Sequence, residues 1–300
     1  MRRPDQPPGM DFFEKPRPVA GDRSVALCMG PLEIEIAGLD EPLAETLFRR
    51  YSPYSARSAS SPTALKVRLG LESTDYFIDP PEVMEVVPVR IACDGERVRY
   101  VSYRVAGWFD TVGGEGHLLL ADGQFEPPER AIENYVRAAV AWQAACRGGG
   151  LVHAASAVWK DRGYLFYGES GAGKSTLSEC NRRARIVSDD LSLVLSGDDG
   201  PILIGSPFRG TYEGGEPVVG EFPVHAGFRL IQAPIAAVHP VDRPRALSEL
   251  IGNLPFVADS YHKRPDLFDS VQRTFADVPL AHLHFRKDDS YWDAIAAAGY

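Results

Sequence analysis

Apolar and polar residues alternate in short segments over the first third of the chain. The segment LKVRLGL, residues 65–71, has the two-residue period of a half-buried strand. The Ser/Pro-rich stretch at residues 51–62 predicts a loop. Further strands are predicted from comparable runs at residues 25–29, 32–36, 87–91 and 97–105.

A helical pattern follows Pro127 and Pro128. Apolar residues recur every three or four positions from residue 132 to residue 140, which predicts a helix to about Cys146 that ends at the glycines of residues 148–150. We place a domain boundary before this helix. The predicted organisation is a disordered tail at residues 1–10, rich in proline and charge, a mainly β (α+β) accessory domain at residues 11–128 and a second domain at residues 129–300.

The second domain contains a strand–loop–helix–strand series. An aromatic-rich strand is predicted at residues 163–167, a loop at residues 168–175 and a helix from Thr176 to about Arg183. A strand at residues 186–187 then leads into a pair of aspartates. Later strands are predicted at residues 202–204, 228–233 and 281–285, and a closing helix that packs Trp292 inward at residues 290–295.

The loop sequence GESGAGKS, residues 168–175, matches the phosphate-binding pattern G-x-x-x-x-G-K-[ST]. Its glycines can adopt backbone angles that side chains forbid, so that successive N–H groups turn inward around phosphate oxygens. Lys174 would bring a positive charge to the β- and γ-phosphates, the Ser175 hydroxyl would ligate Mg²⁺, and the following helix would add its positive end. A glycine-rich turn with a surface lysine is the alternative interpretation. The residues predicted to contact ATP are Gly168, Glu169, Ser170, Gly171, Ala172, Gly173, Lys174, Ser175 and Thr176.

Two adjacent carboxylates, Asp189 and Asp190, follow the loop on the apolar stretch IVSDDLSLV. Neighbouring residues on a strand point to opposite faces, so both side chains reach one site only if the strand ends or bends there. Two nearby carboxylates repel each other, which favours a proton-accepting role for one of them. An exposed turn dipeptide is the alternative.

Composition and charge narrow the function classes. The formal net charge of -9 argues against a general nucleic-acid-binding protein, which usually carries a basic stripe. The four cysteines are far apart and form no CxxC pair, so neither a zinc site nor a disulfide framework is expected. No segment reaches the roughly 18 apolar residues that span a bilayer, and MRRPDQPPGMDFF lacks the apolar core of a signal peptide. We therefore expect a cytoplasmic protein with no nucleic-acid or membrane partner.

Three motifs occur in the order found in one enzyme family. HAASAV at residues 153–158, GESGAGKSTL at residues 168–177 and SDD at residues 188–190 resemble the C-terminal catalytic domain of HPr kinase/phosphorylase. The resemblance is closer still to the HPr-kinase-related proteins of bacterial peptide-modification clusters. It implies an α/β P-loop kinase core related in fold to phosphoenolpyruvate carboxykinase. The mainly β first domain differs from that of the true HPr kinases.

The resemblance also implies roles for individual residues. Lys174 would contact the β/γ-phosphates, and Asp190 would accept the proton of the attacking hydroxyl. Asp189 would join Ser175 at the Mg²⁺. His153 matches the family's catalytic-site histidine near the phosphates, although a histidine satisfied within a strand is the alternative.

The chain departs from the family pattern in several places. Thr176 stands where the family carries glutamate, and the spacing from Lys174 to the aspartates is a few residues shorter. The segment SPFRGTYEGGE, residues 206–216, is the nearest counterpart of a later family signature. There, Arg209 is a candidate to clamp the transferring phosphoryl group, and Glu213 is a candidate metal ligand.

The predicted activity is an ATP- and Mg²⁺-dependent kinase that phosphorylates a hydroxyl, with a serine of a peptide or protein as the expected acceptor. A small-molecule kinase on the same scaffold is the first alternative. A nucleotide-gated binding module without phosphoryl transfer is the second. The acceptor, a homo-oligomeric state and the role of the first domain stay open from the sequence, because a fold alone does not determine them.

Overall fold

The computed structural model describes residues 6–80, 88–112 and 114–300. Contacts between residues divide the chain into two compact units, Met1–Gln143 and Ala144–Tyr300. Each unit contains a mixed β-sheet with helices, so the protein belongs to the α/β class. The sequence placed the division at residues 128/129, whereas the contacts assign the helix that follows to the first unit as far as Gln143.

The first unit contains most of its secondary structure in strands. In chain order its elements are α1 (Met10–Phe13), β1 (Arg23–Met29), β2 (Leu32–Leu39), α2 (Glu41–Tyr51), β3 (Ser55–Ala56), β4 (Leu65–Glu72), β5 (Arg90–Asp94), β6 (Arg97–Val101), β7 (Val105–Asp110), β8 (Glu115–Ala121) and α3 (Pro128–Cys146). The eight strands form one sheet in the order β3-β1-β2-β4-β8-β7-β6-β5. Strand β4 pairs in parallel with β2 and β8, and the remaining neighbours are antiparallel.

The strands predicted at residues 25–29, 32–36 and 65–71 are confirmed as β1, β2 and β4. Alternation along β4 buries Leu65, Val67 and Leu69 and exposes the two basic residues between them. Helix α3 also runs to the predicted end, Cys146.

Several predictions for the first unit differ from the structure. The segment 97–105 contains two strands, because the N–H of Ser102 donates to the Val105 carbonyl and turns the chain between β6 and β7. The strand predicted at residues 87–91 begins at Arg90, and residues 81–87 lie outside the described residues. Helix α2 was not predicted; its N-cap Asp40 accepts a hydrogen bond from the Leu43 N–H at 2.9 Å.

The predicted disordered tail is wrong for residues 6–10. Pro7 is buried, and the Arg99 Nη1 donates to the carbonyls of Pro7 at 3.0 Å and Pro8 at 2.8 Å. Helix α1 then begins at Met10. Arg99 of strand β6 thus fixes this segment through charged hydrogen bonds, and the composition of the segment does not predict such a long-range contact. Residues 1–5 lie outside the described residues.

The second unit contains the strand–loop–helix–strand series. In chain order its elements are β9 (Gly150–Trp159), β10 (Arg162–Tyr167), α4 (Lys174–Cys180), β11 (Arg185–Ser188), β12 (Leu191–Gly197), β13 (Gly200–Ile204), β14 (Glu221–Gln232), β15 (Ala237–Pro240), α5 (Arg243–Ile251), a 3-10 turn (Ala258–Ser260), α6 (Pro265–Phe275), β16 (Leu280–Phe285) and α7 (Tyr291–Ala297). Helix α4 is shorter than predicted, because the chain leaves the helix at Asn181, whose side-chain amide donates to the Ala184 carbonyl.

The sheet of the second unit runs in the order β10-β9-β12-β13-β14-β16-β15, with β11 paired to β9. Strand β10 pairs with β9 in antiparallel and with β14 in parallel, and β14 pairs in parallel with β16. Three parallel strands, β10, β14 and β16, therefore end at the same edge. The glycine-rich loop, residues 168–175, follows the first of them.

Two apolar clusters hold this unit together. One packs residues of β9, β10 and β12 against α5 and α6, and its fully buried members include Leu250, Val271 and Phe275. The other packs residues of β10, β14 and β16 against α4 and α7, and includes Phe166 and Trp292. Trp292 is 0% exposed, which confirms the inward packing predicted for the closing helix. Both clusters fix the strands that carry the candidate site.

Candidate functional site

The glycine-rich loop connects β10 to α4. Gly173, the last residue before the helix, has a φ of 107°, a left-handed conformation that side-chain-bearing residues rarely adopt. A Cβ atom at this position would lie 2.4 Å from Cζ of Phe285. Both the backbone angle and the packing against β16 therefore require glycine here.

Lys174 follows at the first position of α4 and is 8% exposed. Its Nζ donates to the carbonyls of Gly168 at 2.8 Å and Glu169 at 3.2 Å. Burial lowers the pKa of Lys174, and the negative charge of Asp190 opposes this shift. The ammonium group is thus held at the loop by two neutral carbonyls, and the charge of Asp190 partly offsets the cost of its burial.

The strand that follows is interrupted at the two aspartates. β11 ends at Ser188 and β12 begins at Leu191. The Ser188 Oγ accepts hydrogen bonds from the N–H groups of Asp190 and Leu191 and donates to the Phe208 carbonyl at 2.6 Å. This hydroxyl stabilises the break between the two strands, and the break allows adjacent side chains to face the same cleft.

Asp189 is 1% exposed and lies among hydrogen-bond donors. Its Oδ1 accepts from the N–H of Gly210 at 2.7 Å, and its Oδ2 accepts from the N–H groups of Thr211 and Tyr212, both at 3.0 Å. The Ser175 Oγ donates to Oδ2 at 3.2 Å. The carboxylate therefore joins the glycine-rich loop to residues 210–212, and its charge is stabilised by four donors.

Asp190 has a different environment. Its side chain is 31% exposed, and its Oδ1 lies 3.3 Å from Nε2 of His153, which is itself 38% exposed. The two residues meet because β9 and β12 are antiparallel, with His153 opposite Leu191. The His153 main chain is fixed by a 2.7 Å bond from its N–H to the Asn253 carbonyl. A carboxylate that faces solvent beside an imidazole can exchange protons with a bound molecule.

One cleft of about 440 Å³ contains most of the residues that the sequence singled out. His153 and the two aspartates form one side, and the loop forms the other. The loop residues at the cleft are Ser170, Gly171, Gly173, Lys174, Ser175 and Thr176. The loop between β10 and α4 and the break between β11 and β12 thus line one space that is large enough for a ligand.

Five other predicted residues do not line this cleft, and one of them, Gly168, accepts the bond from Lys174 Nζ at 2.8 Å. Arg209 donates to the carbonyls of residues 214–216 at 3.1–3.3 Å, and Glu213 is exposed. Segment 206–216 instead contributes backbone N–H groups, those that bind Asp189. Glu169 is 90% exposed and Ala172 packs against the core beneath the loop, so neither side chain lines the cleft.

The sequence missed four residues that line the cleft: Gly210, Thr211, Gln232 and Lys287. Gln232 ends β14, and its Nε2 donates to the Gly171 carbonyl at 2.9 Å. Thr211 donates its hydroxyl to the Ser175 Oγ at 3.4 Å. Gly210 and Thr211 belong to segment 206–216, which the sequence indicated only for its charged residues, and Gln232 and Lys287 come to the loop from distant positions in the chain.

The cleft offers side-chain oxygen atoms, the kind of ligand that Mg²⁺ prefers. Among the described residues there is no cluster of three or more His, Cys, Asp or Glu side chains that could hold a metal ion. The Ser175 hydroxyl and the Asp189 carboxylate lie side by side. Mg²⁺ is usually bound by one or two protein oxygens together with phosphate oxygens and water, so these residues fit a magnesium–nucleotide complex.

No protein-family model matches this chain, and the curated proteins contain no significant match either. Within the part of the chain that the structure describes, every helix is too short or too polar to cross a membrane.

Proposed function

We propose that the second unit is an ATP-dependent kinase with an HPr-kinase-like P-loop core. It would transfer the γ-phosphoryl group of ATP to a hydroxyl, with a serine of a peptide or protein as the expected acceptor. One observation carries the proposal: a buried lysine, the Ser175–Asp189 pair and the His153–Asp190 pair line a single cleft. These are a cation for phosphates, oxygen ligands for Mg²⁺ and a proton acceptor.

The donor would bind with its phosphates along the glycine-rich loop. Lys174 exchanges its bonds to the carbonyls of Gly168 and Glu169 for bonds to the β- and γ-phosphates, which carry full charge. Ser175 and Asp189 would hold the Mg²⁺. When bound, this ion would neutralise charge on the phosphates and polarise the reacting phosphoryl group.

The transfer step needs a proton acceptor that is accessible and correctly placed. The acceptor oxygen forms a bond to the γ-phosphorus, while the bond to the bridging oxygen breaks and ADP leaves with the electron pair. Asp190 takes the hydroxyl proton, and His153 orients the carboxylate through the 3.3 Å Nε2–Oδ1 contact. Asp189 is unsuited to this task, because protonation would remove the charge that its four hydrogen-bond donors stabilise, whereas a metal ligand stays ionised.

Two variants separate binding from transfer. Asp190→Asn should retain ATP binding in isothermal titration but lose on the order of 10²–10⁴ in transfer rate, as expected when a general base is removed. Lys174→Ala should lose ATP binding itself. Asp259→Asn, an exposed aspartate of the 3-10 turn, serves as the matched control and should behave like the wild type.

Transfer is best measured with γ-labelled ATP and Mg²⁺ in a lysate or with candidate acceptors. A labelled protein or peptide supports the proposed acceptor, and label in a small molecule supports the kinase alternative. Binding of ATP without transfer to any acceptor, and with normal behaviour of Asp190→Asn, would favour a nucleotide-gated binding module. Titration that finds no ATP binding to the wild type would refute all three.

A further inference from the structure

The first unit has a cleft on the face of its sheet that points away from helix α3. Tyr135 of α3 lies against Gly116 of β8, where an added Cβ atom would come within 2.9 Å of the Tyr135 hydroxyl oxygen. Neighbouring residues on a strand point to opposite faces, so His117 belongs to the other face. On that face, a cleft of about 610 Å³ is lined by strands β4, β7 and β8 and by residues 13–17.

Basic side chains outnumber acidic ones in this cleft, although the whole chain has a formal net charge of -9. The charged residues of the lining are Lys15, Arg17, Lys66 and Arg68 on the basic side and Glu14 and Glu115 on the acidic side. Burial lowers the pKa of His117, and the charges of Arg68 and Arg17 lower it further. The potential at the His117 ring is therefore positive, which favours a negatively charged ligand.

Arg68 is the cation of this cleft that is best placed for a ligand carboxylate. It is exposed, and the residues directly beside it on the adjacent strands are Ala37 and His117, neither of which is acidic. Lys66, in contrast, lies between a glutamate of β2 and a glutamate of β8. A ligand carboxylate would thus meet the Arg68 guanidinium without competition from either neighbouring strand.

The shape of the lining suits an extended peptide. Lys66 and Arg68 are two residues apart on β4, which places them about 7 Å apart, the same distance as alternate side chains of an extended ligand chain. Gly70 continues this row without a side chain, and a glycine within a strand allows close approach of another main chain. Trp108 adds apolar surface. The two glutamates of the lining would repel a ligand that is charged throughout, such as a nucleic acid, but not a peptide whose carboxylates are separated by uncharged residues.

We propose that this cleft of the first unit binds an acidic segment of an extended peptide, with one ligand carboxylate on the Arg68 guanidinium. A guanidinium binds a carboxylate through two parallel hydrogen bonds, which adds geometric specificity to the charge attraction. In the proposed kinase this segment belongs to the acceptor peptide or protein, and that assignment rests on the proposed function. A docking segment that is tied to the target hydroxyl raises the effective concentration of that hydroxyl at the enzyme.

The first experiment measures peptide binding to the full chain without nucleotide. Fluorescence anisotropy compares a labelled short peptide of alternating aspartate and threonine with the same peptide carrying asparagine for aspartate, and with an oligothymidylate of equal charge. Arg68→Ala removes the proposed carboxylate partner. Arg90→Ala is the matched control, because Arg90 is an exposed arginine of strand β5 in the same unit and does not line the cleft.

We expect the wild type to prefer the aspartate peptide over both other ligands. Arg68→Ala should weaken binding of the aspartate peptide by about 5- to 20-fold, the size of a lost guanidinium–carboxylate pair that is partly exposed, whereas Arg90→Ala should bind like the wild type. Equal affinity for the aspartate and asparagine peptides would overturn the inference, as would unchanged affinity of Arg68→Ala. Tighter binding of the oligothymidylate would overturn the assignment to a peptide.

A second experiment locates the peptide on the wild-type chain and does not depend on the binding of a variant. The pKa of His117 is followed by NMR titration of its ring protons, which are assigned by their loss in His117→Gln. Saturation with the aspartate peptide should raise this pKa, because ligand carboxylates oppose the charges of Arg68 and Arg17. A pKa of His117 that is the same with and without bound peptide would overturn the placement in this cleft.

A third experiment separates the docking role from the proposed kinase activity. In a lysate with γ-labelled ATP, excess aspartate peptide should suppress labelling of the acceptor by the wild type, and the asparagine peptide should not. Labelling that the aspartate peptide leaves unchanged would refute the docking role while the kinase activity stands. Wild-type protein that binds the aspartate peptide but not ATP would refute the proposed function and leave the peptide site intact.

Discussion

Replacing Asp189 by asparagine should destabilise the second unit far more than the same change at Asp190. Asp189 is 1% exposed, and three backbone N–H groups and the Ser175 hydroxyl donate to its carboxylate. Asparagine has nearly the same volume but only one acceptor oxygen. At least one of these donors must then face the amide NH₂ group, which cannot accept.

The loss of unfolding free energy is the sum of the changes at the four hydrogen bonds of Asp189. The least unfavourable rotamer places NH₂ against the Gly210 N–H, because Oδ1 has this single donor and Oδ2 has three. Leaving one buried donor unpaired costs about 1–3 kcal/mol. The other three bonds change from a charged to a neutral acceptor, at about 1 kcal/mol each. The sum, about 4–6 kcal/mol, is comparable with the whole stability of a typical domain, about 5–15 kcal/mol.

Urea unfolding of the full chain measures the global effect, and amide hydrogen exchange at residues 210–212 measures the local one. Asp189→Asn should lower the midpoint and accelerate exchange in that segment. Asp190→Asn is the matched control and should stay within about 1 kcal/mol of the wild type, because its side chain is 31% exposed. Equal stability of the two variants would refute the separate roles assigned to these neighbours.

Two further predictions concern the residues around the loop. Gly173→Ala should lower the free energy of unfolding by about 2–4 kcal/mol, because the position has a positive φ and the added Cβ would lie 2.4 Å from the Phe285 ring. Gly200→Ala is the control: its φ is 122° but no atom lies within 4 Å, so it should cost only about 1–2 kcal/mol. Thermal unfolding measures both losses. Burial alone would raise the pKa of the Glu249 carboxyl. Hydrogen bonds from His282 and Arg245 outweigh this effect and hold the pKa below its usual value of 4.5. A carboxyl group whose pKa is lowered by folding stabilises the folded state at pH values above 4.5, its usual pKa. The stability difference between the wild type and Glu249→Gln should therefore be present at pH 7 and shrink as the pH falls through the lowered pKa.

The alternation of apolar and polar residues predicts strands that have one buried and one exposed face, such as β4. It does not predict elements that are held by only a few contacts. Helix α2 has only three buried residues, Ala44, Leu47 and Tyr51, too few for the period to stand out. The division by contacts, after Gln143, falls later than the boundary predicted at residues 128/129 for a related reason. The period of α3 indicates that it is buried but does not say on which sheet, and the Tyr135 hydroxyl bonds to the Trp108 carbonyl of the first unit.

The same limit applies to the candidate site. The local pattern predicts the phosphate loop and the paired aspartates, and the family resemblance adds His153. The same resemblance points to Arg209 and Glu213, but segment 206–216 contributes main-chain N–H groups to the cleft instead. No side-chain pattern at residues 210–212 indicates that their N–H groups bind the Asp189 carboxylate, because every non-proline residue has such a group.

The break between β11 and β12 explains why two identical neighbours can have different roles. On a continuous strand the two side chains would point to opposite faces of the sheet, and one of them would leave the cleft. The Ser188 hydroxyl holds the chain out of that conformation. Asp189 then turns toward the N–H groups of residues 210–212, whereas Asp190 turns toward His153 and solvent. Proton transfer to Asp189 would weaken the bonds from its buried N–H donors, whereas Asp190 faces solvent beside His153, so the local fold supports the proposed assignment of Asp190 as the base.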